Sequence, residues 1–130
     1  MGIHVESESL ERAFEEAAEA MLNIMFELDN IRETESVTFG VHAKDLPMLF
    51  VEVLNEILSI QDRHSLAIKR LITDELKSVE GGYLLVGTIR GEPFDESRHP
   101  VKTEVKAATL AGLKYEEKDG KHIFECVFDL

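Results

Sequence analysis

The residues able to do chemistry are few and scattered. Asp129 closes an otherwise apolar stretch and is followed at once by Leu130 and the chain's own carboxylate. Two anionic groups at one strand end can take a hard cation through oxygen ligands; the plainer reading is a frayed terminus, against which a packable final Leu counts mildly. His99 sits between Arg98 and Pro100 in a turn-rich stretch, Gly91 to Pro100, ahead of Glu104 and Lys106. His99, Glu104 and Asp129 could serve as acid, base and metal ligands only if folding made them converge. His4, His42, His64 and His122 form no helical i, i+4 pair, with each other or with His99, and no cysteine lies close enough for a zinc finger. Glu52 and Glu56 have that spacing, as a solvent stripe or part of a partner surface. Glu116, Glu117 and Asp119 read as a solvated turn. The single cysteine, Cys126, lies among apolar neighbours and reads as a packed, inert thiol. Nucleophile elbow, phosphate loop and dinucleotide fingerprint are all missing.

The elements that must position these residues can be read from the chain. Its 130 residues suit one domain, 1–130, with a real core; 44% are hydrophobic and 31% charged, the balance of a soluble globular chain. No apolar run reaches the ~20 residues of a membrane helix, and the N-terminus lacks the basic and apolar regions of a signal peptide. One cysteine allows no internal disulfide, in keeping with a reducing cytoplasm. A net charge of −12 repels phosphate backbones, so direct nucleic-acid binding is not expected and any such role would run through a basic protein partner. No repeat or linker interrupts the chain.

Ile3 and Val5 alternate with polar residues as a short strand. Ser7 and Ser9 offer N-cap oxygens, and Leu10, Phe14, Ala17, Met21, Met25 and Leu28 then share one helical face, with Asp29 and Asn30 as the stop. Ser36 to Ala43 alternates as a strand. Asp45 caps a second helix, to about Ile60, whose more apolar composition predicts deeper burial. Ser65–Glu80 and Tyr83–Glu92 read as a hairpin around Gly81-Gly82. Val101 to Glu117 reads as a strand, Lys118 to Lys121 as a turn, and His122 to Leu130 as the last strand. The order β-α-β-α-β-β-β-β predicts an α+β, two-layer domain: a mixed, largely antiparallel sheet with both helices packed on one face.

The stretch "GEPFDESRHPVKTEVKAAT" also resembles the signature of the archease family, Gly-Glu-x-Phe/Tyr, a loop, then His-x-x-x-Thr-Glu-Val-Lys-Ala-x-Thr. His99, Thr103, Glu104, Val105, Lys106, Ala107 and Thr109 fit it. "VFDL" closes the chain in the family manner, "GIHVESESLERAFEEAAEAM" is similar to the family's first strand and helix, and "LNEIL" to the core of its second helix. The resemblance covers essentially the whole chain. It implies a small cytosolic protein cofactor of the GTP-dependent tRNA-splicing RNA ligase, one that promotes guanylylation and repeated turnover without joining RNA itself. It is not expected to be an enzyme.

The resemblance further implies a metal site, for calcium or a similar divalent ion, at Asp129 and the carboxylate of Leu130, and a partner-facing polar cluster of His99, Glu104 and Lys106 near the same end. Two departures bear on this. The family usually begins with a strand ending His-Thr-Ala-Asp just ahead of what is here Gly2-Ile3, and that Asp is a metal ligand. Without it, metal affinity should fall, and an exposed sheet edge could pair with a second copy. Where the family often has Tyr-His after the Thr, this chain has Leu110-Ala111. An acidic chaperone or assembly module for RNA-modifying enzymes, and a small metal-dependent enzyme, stand as alternatives.

Overall fold

Ser9 and Asp45 start the two helices as the sequence predicts. In the computed structural model, which describes residues 1–130, Ser9 Oγ accepts from the Arg12 amide at 3.2 Å and Asp45 Oδ1 from the Met48 amide at 2.9 Å. Each removes one of the unpaired donors of a helix start. The elements are β1 (Gly2–Ser7), α1 (Leu10–Met25), a short 3-10 turn (Leu28–Asn30), β2 (Glu35–Ala43), α2 (Leu46–Arg63), β3 (Leu66–Val79), β4 (Gly82–Pro93), β5 (Ala107–Lys118) and β6 (Lys121–Asp129). This is the expected order.

Two boundaries differ. Helix α1 stops at Met25 rather than at Asp29, and Phe26 is extended. Phe26, Leu28 and Ile31 are all buried. Residues two apart lie on nearly opposite sides of a helix, so the chain must leave the helix for all three to reach the core. At the other end of the chain, β5 begins at Ala107 and not at Val101. Residues 102–106 have period-two burial but no ladder: the Lys102 amide donates to Met25 O and the Lys106 amide to Asp129 O, both at 2.8 Å.

The strands form two three-stranded antiparallel sheets, ordered β1-β6-β5 and β2-β4-β3, where one sheet was expected. The helices join them. Helix α1 packs on β1 and β3, and α2 on β2 and β5, so each helix spans both sheets from one side. The deeper burial expected of α2 amounts to near equality: seven of 16 residues are buried in α1 and eight of 18 in α2. A trio of rings ties the layers together. Phe50 of α2 stacks on Phe124 of β6 at 4.2 Å, and Phe14 of α1 meets both edge-on at 5.5 and 5.6 Å.

Two hairpin turns set the strand registers. Asp119 and Gly120 both have positive φ (53° and 76°), the two-residue geometry that suits the twist of β5 and β6. At the Gly81-Gly82 turn a side chain on Gly82 would overlap the Ala43 carbonyl of the neighbouring strand.

Candidate functional site

The signature stretch divides into a buried half and an exposed half. The buried half centres on Glu92 at the end of β4, only 5% exposed. Its Oε1 receives Arg98 Nη1 at 2.6 Å, and its Oε2 receives the Arg32 amide at 2.7 Å. The His99 ring completes the set. The Asp95 amide donates to His99 Nδ1 at 3.0 Å, so Nε2 carries the ring proton and donates to Glu92 Oε2, also at 3.0 Å. Arg98 reaches on to Asn30 O. The hydrogen bond from Arg98, then that from the Arg32 amide, hold the Glu92 carboxyl down at about 2. Asp95 is likewise lowered, chiefly by the Ser97 hydroxyl and then the Ser97 amide, which closes the loop on itself.

His99 is therefore not a partner-facing group. Its side chain is fully enclosed, with one ring nitrogen spent on a backbone amide and the other on a carboxylate. Its task is to fasten the segment between β4 and β5 to the end of β4.

The exposed half follows directly. Across 104–106 the burial alternates: Glu104 out, Val105 in at 4% exposure, Lys106 out. Val105 is a peg in the core, and it sets the two charged neighbours on the surface. The Lys106 amide donates to Asp129 O, and Ala107 pairs with Asp129 across β5 and β6, which brings Lys106 to the Asp129–Leu130 end. Asp129 and Leu130 are both exposed. The structure thus brings Lys106 and Asp129 together, with Glu104 on the adjoining surface, and leaves His99 inside.

One positioning residue escapes sequence reasoning. Asn55 of α2 grips the start of β5 with both ends of its amide: Nδ2 donates to Ala108 O at 3.0 Å, and Oδ1 accepts from Ala108 N at 2.8 Å. The pair mimics a strand partner and fixes β5 against α2 next to the exposed end. A polar residue inside "LNEIL", between Glu52 and Glu56, was the only hint.

The donors for a divalent ion are sparse. Asp129 and the Leu130 carboxylate supply two anionic groups, and nowhere do three or more His, Cys, Asp or Glu side chains gather as a metal site. Calcium takes six to eight oxygens, so these residues alone do not build its cage. The β1–β6 register adds one detail: the Phe128 amide donates to Met1 O at 2.8 Å, so Met1 lies beside the Asp129 end. Cys126 is 1% exposed, and burial pushes its thiol pKa up, which suits the inert role expected of it.

Fold and site together define an α+β protein with two antiparallel sheets under a helix pair and an acidic, exposed strand end. The chain belongs to the archease family: the model of the Archease protein family (MTH1598/TM1083) matches residues 1–130. Among curated relatives, the protein archease of Methanopyrus kandleri is 36% identical over 115 residues, covering 88% of this chain and 81% of its own. That of Pyrococcus abyssi is 31% identical and covers 100% of this chain and 92% of its own. The solution structure of Methanobacterium thermoautotrophicum protein 1598 superposes with a TM-score of 0.84 at 28% identity, over 99% of this chain and 91% of that one. The crystal structure of an archease, described as a possible chaperone, from Thermotoga maritima shares the fold, with a TM-score of 0.67 at 22% identity, over 100% of this chain and 90% of that one.

Proposed function

We propose that this protein is a cytoplasmic accessory factor of the GTP-dependent tRNA-splicing RNA ligase, promoting the ligase's guanylylation and its repeated turnover. The observation that carries the reading is the exposed end built by Lys106, Asp129 and Leu130 with Glu104 beside it, in a chain of this family. None of these side chains has the buried, paired setting of Glu92, so they are available to another protein. A −12 chain disfavours RNA as its own ligand and favours a basic, RNA-binding protein. Divalent metal would enter as a weak, shared ligand, with Asp129 and Leu130 supplying part of the shell and water or the partner the rest. Strand β1 is an outer strand, and its free edge is the place where a second copy would add; sedimentation that shows a monomer at every concentration would rule that pairing out.

The test is ligation under multiple turnover. Cognate ligase, GTP, divalent metal and excess cleaved tRNA halves are incubated with and without this protein, and with Asp129→Ala. Product per ligase should rise with the protein and fall back with the variant. No rise, in the presence of correctly folded protein, would sink the reading. A rise with unrelated RNA-modifying enzymes as well would favour the broader chaperone reading.

A further inference from the structure

A groove beside Glu104 has features that the exposed strand end does not explain. It holds about 450 Å³ between the C-terminal ends of α1 and α2 and the segment that follows β4. Met25, Phe26 and Leu66 form its apolar floor; Phe94 and Val101 form its rim and are 40% and 51% exposed. Large apolar side chains that exposed, facing each other over an apolar floor, mark a place where another surface removes them from water.

Two further observations say what that surface carries. Asp62 and Glu104 stand at the groove, with no salt-bridge partner for either, in a chain already at −12. Both helices end here, and helix C-termini present the negative end of the backbone dipole. Apolar floor, two carboxylates and two negative helix ends together fit a cationic peptide with an apolar anchor.

We propose that this groove seats a short basic segment of the partner protein: one aromatic or branched aliphatic side chain fills the space between Phe94 and Val101, and flanking Lys or Arg groups pair with Asp62 and Glu104. The proposal rests on the ligase reading above and gives that partner a second foothold. The groove and the Lys106–Asp129 end share Glu104 as their border, since Glu104 lines the recesses on both sides.

Calorimetric titration of the cognate ligase with the full chain tests it. Val101→Glu and Phe94→Ala should each weaken binding about tenfold or more. Val101→Glu is the safer variant, because half of that side chain already faces water. Glu104→Lys should weaken binding and flatten its salt dependence. Ile72→Glu, on β3, is the control for adding charge at an exposed apolar position and should bind normally. If the native chain binds the ligase and Val101→Glu and Phe94→Ala bind equally well, the groove proposal is overturned and the ligase reading stands. If the native chain does not bind at all, both fall. If the native chain self-associates and Val101→Glu makes it monomeric, the occupant is a second copy and the proposal is likewise overturned.

Discussion

Glu92 and Glu104 flank one connecting segment and have opposite fates. Glu92 is enclosed, accepts from Arg98, His99 and the Arg32 amide, and holds its charge down to low pH. Glu104 is exposed and faces a groove. The difference teaches how the segment is built: one carboxylate is consumed in fixing the chain path so that the other, with Lys106, can be presented at a defined place. A signature can therefore hold structural and interaction residues side by side, and only their surroundings separate them.

The comparison can be broken most forcefully at Glu92. Glu92→Ala leaves the His99 ring, the Arg98 guanidinium and the Arg32 amide without their acceptor, and should lower the melting temperature on the order of 10 °C in a thermal scan. Acid should do the same to the native chain. The folded Glu92 carboxyl sits at about 2, below its ordinary 4.5. Its contribution is thus present in full above 4.5 and is lost as pH falls from there toward 2. Glu92→Gln, which cannot titrate, should lack that component in an acid-unfolding series; an identical pH profile would count against the clamp.

Next comes Asn55, which joins the two regions. Asn55→Ala removes both partners of Ala108 and should cost about 2 kcal/mol in denaturant unfolding. Because it frees the start of β5, it should also reduce ligase activation in soluble protein. Lys106→Ala and Asp129→Ala should do the reverse of Glu92→Ala: melting temperature nearly unchanged, but product per ligase down about tenfold. Should these two variants melt early instead, the contrast between clamp and presented end would collapse.

The smallest effect belongs to His4, exposed on β1 and raised above its ordinary value by hydrogen bonds to Glu125 and then Glu6. Its contribution is present below 6.5 and is lost as pH rises through the raised value. His4→Gln should remove this small slope near neutrality, at the level of a surface ion pair, about 0.5 kcal/mol or less.

Element order and helix caps were legible because they depend on local chemistry: Ser9, Asp45, Gly81 and Gly120 act within a few residues of themselves. The alternation of residues 102–106 was legible too, with Glu104 and Lys106 outside and Val105 inside, although Val101 is exposed where a strand running from it would turn it inward. Period two reports faces, however, and not partners. Nothing in it shows that the Lys102 amide would go to a helix end instead of a strand. His99 looked like a surface loop residue because the groups that enclose it, Glu92, Asp95 and Phe94, come together only when the loop folds back. Asn55 lies 53 positions from Ala108, and no local pattern encodes such a pairing. The split into two sheets was hidden for the same reason: strand propensity does not choose neighbours.

The strand that carries Asp129 is held in the middle of its sheet by β1, and His4 meets Glu125 across 121 positions of sequence. Contacts this distant are slow to form, because chain entropy must be lost before they repay it. The β3–β4 and β5–β6 hairpins, each closed by a tight turn, can precede them, and the second already joins Lys106 to Asp129. Until β1 adds its edge, however, the presented end stands on a two-stranded ribbon, which is marginal on its own. A binding partner would therefore meet that end in its final form only on the finished fold.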